Sequence, residues 1–299
     1  MNLILLVINK SRDLGAKEAA HYFGVTETTI YNWWNGKKIP SLIHAQRVLD
    51  DKGDDVSDLA SWEGRKVLIG HPAYSFVEPA THLTLIAAMR DYGPDKAGYT
   101  QVEGTLIDEA RNELGRRLIR HETAEAIIMV DHDMVLPCGN ADLLNGRFNA
   151  NMPSEYASKN FISALMSHPP EFGIIGATYV GRNPNGKIQC SSGFESAFED
   201  AKIRNNPKQG LKQVGWVATG AIMIRKWVLQ KMSEAAPTKF PEIISKDGPG
   251  WFTKAAGMGE DCAFGMRAGQ VGIASYVDCS TICGHIGKFT YWPSNTTRK

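Results

Sequence analysis

The 299-residue sequence contains no apolar run long enough to cross a bilayer. The stretch Leu3-Ile4-Leu5-Leu6-Val7-Ile8 falls far short of the ~20 residues that a spanning helix needs. It also lacks the basic n-region and small-residue cleavage site of a secretory signal. The run therefore reads as a buried first helix of a soluble, cytoplasmic protein with no membrane partner. Cysteine is scarce: Cys138, Cys190, Cys262, Cys279 and Cys283, with no C-x-x-C pair. An odd count without metal spacing favours free thiols in a reducing compartment, with a single disulfide between two of them as the alternative. Charge of one sign is not in surplus, since 33 basic residues face 32 acidic ones. Binding of nucleic acid through bulk charge is thereby excluded, and any such contact needs a local patch. Repeats and low-complexity tracts are absent too, which leaves an ordinary globular chain of one large or two modest domains.

What is present divides the chain into 1–50, a linker over 51–64 and a larger domain over 65–299. In the first segment Lys17 to Phe23 has helical spacing, with Ala19, Ala20 and Phe23 on one face. Gly24 stops that helix, and Thr26 caps a second whose buried side is Ile30 and Trp33 and whose end is Asn35-Gly36. Helix, tight turn, helix at this spacing is similar to the small helix-turn-helix domains of phage repressors. A helical hairpin used for protein contacts fits the same pattern. Residues 1–49 carry six Lys and Arg against three Asp and Glu. Thr28, Tyr31 and Asn32 could face base edges, with Lys37 and Lys38 on phosphates. Residues 50–58, with five aspartates, cannot pack and would repel phosphate, so they open the linker.

From Arg65 short buried strands alternate with helices. Lys66–Gly70 and Ala126–Val130 read as strands, Gly173–Ala177 as another, and Ala80–Met89 and Asp108–His121 as helices. His71 to Tyr74 reads as a loop. Residues 138–214 are the least legible, with a helix over Glu155–Leu165 and a hairpin turn at Asn183–Gly186. The alternation predicts an α/β fold with a mostly parallel central sheet covered on both faces, and ligands at the carboxyl ends of its strands.

Four patterns at those ends carry chemistry. Val130 is followed at once by Asp131-His132-Asp133, and two hard carboxylates at a strand end suit Mg²⁺ or Mn²⁺ bridging phosphate oxygens. Read alone, the triplet is equally a helix N-cap or a solvated turn. Thr219-Gly220 in GWVATGAIMI permits close backbone approach, or is a plain turn before a helix Trp227–Met232. Glu260-Asp261 opens a helix, where acids favour its positive end whatever else they do. His285 stands between Gly284 and Gly287, a placement that suits a ligand as well as a structural imidazole.

The order of these motifs resembles family-2-like glycosyltransferases of the GT-A fold. The matching segments are Ile69-Gly70-His71-Pro72-Ala73-Tyr74, Ala110-Arg111-Asn112, Asp131-His132-Asp133-Met134-Val135-Leu136-Pro137, Thr219-Gly220, Gly259-Glu260-Asp261-Cys262-Ala263-Phe264 and Tyr276-Val277-Asp278 through His285-Ile286-Gly287. The resemblance implies a Rossmann-like GT-A domain behind a small all-α helix-turn-helix domain, and a nucleotide-sugar donor, most simply a UDP-sugar. It implies that His71, Pro72 and Tyr74 lie by the nucleotide base and Arg111 near the nucleotide. Thr219 and Gly220 would lie under the sugars, with Asp131, Asp133 and His285 holding Mn²⁺ or Mg²⁺. Asp261, with Glu260 second, would take the acceptor proton in an inverting transfer. Cys279 stands where the family often has Pro.

A helix-turn-helix joined to a sugar transferase resembles the phage enzymes that glycosylate hydroxymethylated pyrimidines. The expected acceptor is 5-hydroxymethylcytosine in double-stranded DNA, or 5-hydroxymethyluracil, and the expected location is the host cell cytoplasm. Polysaccharide, lipid-carrier or protein acceptors are the alternative, as is a non-catalytic DNA-binding regulator that senses a nucleotide sugar.

Overall fold

The structure, a computed structural model, describes residues 3–35, 37, 66–73, 77–140, 159–179, 210–287 and 290–291. The expected linker over 51–64, Lys38, Tyr74, the turn at Asn183–Gly186 and the first part of the expected 155–165 helix lie outside them. The chain divides into two compact units, Met1–Ser61 and Trp62–Lys299. Among the described residues no helix is long and apolar enough to cross a membrane.

The first unit holds three helices: α1 (Leu3–Leu14), α2 (Ala16–Phe23) and α3 (Glu27–Trp34). Gly24 closes α2 in the left-handed conformation at φ 67°, where any other residue would strain. Thr26 caps α3, its hydroxyl accepting from Thr29 N at 3.2 Å. Val7, Ala19, Phe23, Ile30 and Trp33 are buried together, and the Phe23 and Trp33 rings meet edge to face at 5.4 Å. Ser11 ties α1 to α3 by accepting from Trp34 Nε1 at 2.7 Å.

The second unit is built on β1 (Val67–Ala73), α4 (Pro79–Tyr92), β2 (Ala97–Glu103), α5 (Ile107–Arg120) and β3 (Ala126–Val130). Next come β4 (Met134–Val135), α6 (Phe161–Met166), β5 (Ile174–Thr178), β6 (Leu211–Val214), β7 (Ala221–Arg225) and α7 (Lys226–Lys239). A short β8–β9 hairpin (Ile244–Ser245, Gly248–Pro249), α8 (Glu260–Gln270), β10 (Ser275–Ile282), β11 (Gly284–Ile286) and β12 (Thr290–Tyr291) complete it. Seven of the described strands form one sheet in the order β2-β1-β3-β7-β5-β10-β6. β1 runs parallel to β2 and β3, and β5 parallel to β10. Only β7 and the edge strand β6 run against them. This is the mostly parallel, Rossmann-like α/β architecture expected of a GT-A domain.

Alternation within the strands makes the sheet a middle layer. Ile128, Val130 and Met223 face α4 and α6 through Leu85, Met89, Phe161 and Leu165. Ile127, Met129 and Ile224 face the other way, onto Leu114 and Leu118 of α5, Leu229 and Met232 of α7 and Phe264 of α8. Each such aliphatic side chain contributes about 1.5–3 kcal/mol on burial.

Two local readings differ from the sequence expectation. His71–Ala73 are strand rather than loop, because they continue to pair with Gln101–Glu103 of β2. Pro72 is tolerated since pairing to β3 stops at Gly70, so the strand is an edge on that side. Ala221–Arg225, expected as the run-out of a turn, is a fully buried central strand.

Candidate active site

The loop after β3 is held from three sides. Asp131 N donates to Gly220 O at 2.9 Å. His132 O accepts from Glu78 N at 2.8 Å and from Thr81 Oγ1 at 3.0 Å, at the start of α4. Leu136 N donates to Thr84 Oγ1 at 3.1 Å. The polar face of α4's first turns thus serves backbone groups that the loop would otherwise bury unpaired.

The third side comes from the far end of the chain. β4 pairs antiparallel with β11, His285 opposite Met134, and Asp133 O accepts from Ile286 N at 2.8 Å. This pairing sets His285 Nε2 3.4 Å from Asp133 Oδ2, with the two side chains 13% and 5% exposed. The approach of β11 is prepared by Asp278 in β10. Its Oδ1 accepts from Ser280 N and Oγ, both at 2.7 Å, and its Oδ2 from Thr281 Oγ1 at 2.7 Å and His168 Nε2 at 3.0 Å. Burial works to raise the Asp278 carboxyl, but these hydrogen bonds prevail and hold it below its ordinary range. They organise the register shift between Asp278 and Ile282 that turns the chain toward β11.

Asp131 is turned elsewhere. Its Oδ1 accepts from Arg111 Nη2 at 2.7 Å, and Arg111 Nη1 reaches Glu260 Oε1 at 2.5 Å. Burial would lower the Arg111 pKa, but the two carboxylates outweigh it and raise it. Among the described residues no group of three or more His, Cys, Asp or Glu side chains is disposed to hold a metal ion. The expected trio of Asp131, Asp133 and His285 resolves into an Asp133–His285 pair and an Asp131–Arg111 pair. Arg111, expected near the nucleotide, has a side chain only 2% exposed and is engaged with these two acids.

Asp261 is the second residue of α8, and its Oδ1 accepts from Cys262 N at 2.7 Å. Burial, with Glu260 adding to it, pushes its carboxyl above the ordinary aspartate range. A carboxyl raised in this direction is a better proton acceptor than an ordinary aspartate.

Thr219 and Gly220 lie buried where β7 begins. Gly220 N donates to Tyr179 Oη at 3.0 Å, and a Cβ on Gly220 would stand 2.7 Å from the Tyr179 ring. The Tyr179 ring in turn meets His285 edge to face at 5.6 Å. Tyr179 was not singled out in the sequence. The signal it carried was an aromatic directly after a buried strand, at the ligand-bearing edge. His71 and Pro72 are buried at the carboxyl end of β1. Both ring nitrogens of His71 are buried without a hydrogen-bond partner. Burial, then His82 and His132, push its pKa down to about 3. In the first unit Thr28 and Tyr31 are exposed and Asn32 half-buried, on the face of α3 opposite Ile30 and Trp33, and Lys37 is exposed beyond the end of α3.

No protein-family model matches the chain, and no curated protein matches its sequence. Solved structures do match in shape. The crystal structure of A197 from STIV aligns at 13% identity and a TM-score of 0.44, covering 77% of this chain and 92% of that one. The crystal structure of a glycosyltransferase involved in the glycosylation of the major capsid of PBCV-1 aligns at 10% identity and a TM-score of 0.30, covering 59% and 68%. Neither likeness carries an activity over to this chain, whose function rests on its own residues.

Proposed function

We propose that the second unit is a metal-dependent glycosyltransferase that moves a sugar from a nucleotide-sugar donor, a UDP-sugar in the simplest case, to a hydroxyl acceptor. The observation that carries this reading is the cross-strand pairing that sets Asp133 against His285 at the carboxyl edge of the sheet. The Asp133 carboxylate is a hard oxygen ligand of the kind Mn²⁺ or Mg²⁺ takes, and the His285 imidazole is a second donor better matched to Mn²⁺, with further positions left for diphosphate oxygens and water. Bound there, the ion would neutralise the diphosphate leaving group. Asp261 is the residue proposed to take the acceptor proton. The acceptor oxygen forms its bond to the anomeric carbon as the bond to the diphosphate breaks, and the hydroxyl proton passes to the Asp261 carboxylate. A single attack of this kind inverts the anomeric centre.

The proposed acceptor is 5-hydroxymethylcytosine in double-stranded DNA. Support comes from the first unit, where α3 presents Thr28, Tyr31 and Asn32 away from its core and Lys37 follows, exposed, beyond its end. That is the disposition a recognition helix requires. The major-groove position of the hydroxymethyl group makes it reachable without extruding the base.

The test is incubation with UDP-glucose or UDP-GlcNAc and Mn²⁺, with and without hydroxymethylcytosine DNA, reading UDP release and nucleoside mass. DNA-dependent release with a hexose-sized mass gain is the expected result. Release that ignores DNA would discard the DNA acceptor and keep the transferase. No release from any nucleotide sugar would overturn the transferase.

A further inference from the structure

Arg111 offers the longest chain of consequence outside the proposed chemical steps. It lies on α5, 1% exposed, and its guanidinium is shared between Asp131, 20 residues away in sequence, and Glu260, 149 residues away. Asp131 begins the loop that carries Asp133, and Glu260 begins the helix that carries Asp261. The adjacent Asn112 adds a second tie, its Oδ1 accepting from Phe252 N at 2.8 Å in the segment leading to α8. Arg267 of α8 closes that segment from the other side, donating to Trp251 O at 3.1 Å and Thr253 O at 2.6 Å.

We propose that Arg111 is a positioning residue that couples the Asp131–Asp133 loop to the helix bearing Asp261, so that the donor and acceptor sides of the site move as one body. A buried cation between two carboxylates has no cheap way to lose one of them. Removing either acid leaves one arm of the buried guanidinium without its acceptor, so that the remaining partner must shift or water must enter. Glu260 serves this link through Arg111, while its neighbour Asp261 is held locally by Cys262 N. Two adjacent acids thereby divide the work: Glu260 sets the position of α8, and Asp261, the proposed proton acceptor, is left outside that link. The kinetic part of this proposal rests on the transferase reading; the conformational part does not.

The experiment compares wild type, Glu260→Gln, Arg111→Lys and Arg111→Met by hydrogen–deuterium exchange, with far-UV circular dichroism to confirm folding. Glu260→Gln lies on α8, yet exchange in the peptide spanning residues 131–136 should rise at least fivefold, with β1 amides unchanged. Arg111→Met should do the same, and Arg111→Lys should restore protection to within about twofold. Should Arg111→Met fail to fold, Glu260→Gln and Arg111→Lys decide the matter alone. Wild-type exchange in that peptide in Glu260→Gln would overturn the coupling. In steady-state transfer, Glu260→Gln should raise the KM for the nucleotide sugar at least fivefold, and adding it to Arg111→Met should cost little more, because both cut one link. An effect of Glu260→Gln confined to the acceptor KM would also overturn the coupling. If wild type transfers no sugar, the transferase reading falls, and the exchange result still judges Arg111.

Discussion

Replacing His71 by Phe should make the protein less sensitive to acid. His71 is 0% exposed, its ring lies 6.5 Å from that of Tyr99, and its ring nitrogens have no hydrogen-bond partner. Burial drives its pKa from 6.5 down to about 3. The folded protein therefore refuses a proton that the unfolded chain accepts once the pH falls below about 6.5. The sign is that of a depressed folded-state pKa: stability is intact above pH 6.5 and declines as pH falls toward 3. At 1.36 kcal/mol per pH unit, the loss from His71 alone is about 2 kcal/mol at pH 5 and about 3 kcal/mol at pH 4. Phenylalanine keeps an aromatic ring beside Tyr99 and has nothing to protonate. Urea denaturation of both proteins between pH 8 and pH 4 should show near-equal stability at pH 8, or a gain for the variant of up to about 2 kcal/mol from removing unpartnered polar atoms. The gap should then widen in the variant's favour by about 2 kcal/mol at pH 5. A gap that stays constant within about 0.5 kcal/mol across this range would refute the reasoning, since it would mean that His71 is hydrated and titrates normally.

Gly220→Ala should cost about 1–3 kcal/mol in thermal or urea denaturation, because its methyl would stand 2.7 Å from the Tyr179 ring. The companion change Tyr179→Ala should relieve that clash, so that the pair is less than additive. Asp133→Asn and His285→Ala should each weaken Mn²⁺ binding, read by electron paramagnetic resonance, by tenfold or more, while Asp131→Asn changes it by less than about threefold; equal losses in all three would return Asp131 to the ligand set. Under the proposed function, Asp261→Asn should lower kcat by about 10²–10⁴-fold. Wild-type kcat should climb with pH through a step lying above the ordinary aspartate range, and that step should be missing from the residual activity of the variant.

Some of this architecture was legible in the residues and some could not be. Ala126–Val130 announces itself as a buried strand by five consecutive apolar residues, and the acids that follow are placed at a sheet edge by that fact alone. The face of α5 was equally plain in Ala110, Leu114 and Leu118. β2 was not recognised, because AGYTQVE mixes polar and apolar residues without a strong period. β7 is hidden behind its own turn: four of the five residues of AIMIR are apolar, but the strand ends on Arg225 and follows directly on the turn signal of Gly220. The insertion of β7 between β3 and β5 is a property of topology that local pattern does not encode. Arg111 shows the same limit within the site. Its helix position gave no hint of which acids it would meet, since one of them lies 149 residues along the chain.

The place of β7 has a consequence in time. During synthesis β2, β1 and β3 emerge first, and the strand that must cover the open side of β3 follows about 90 residues later. At the usual ribosomal rate of about 5–20 residues per second, that is a delay of roughly 5–20 s. Until β7 is made, the backbone groups on that side of β3 lack their native partner. β5 appears earlier but cannot substitute, because its native neighbour on that side is also β7. A nascent chain stalled in this interval would be a natural client for chaperones, and slower decoding before residue 221 would cost soluble yield more than slower decoding after residue 225.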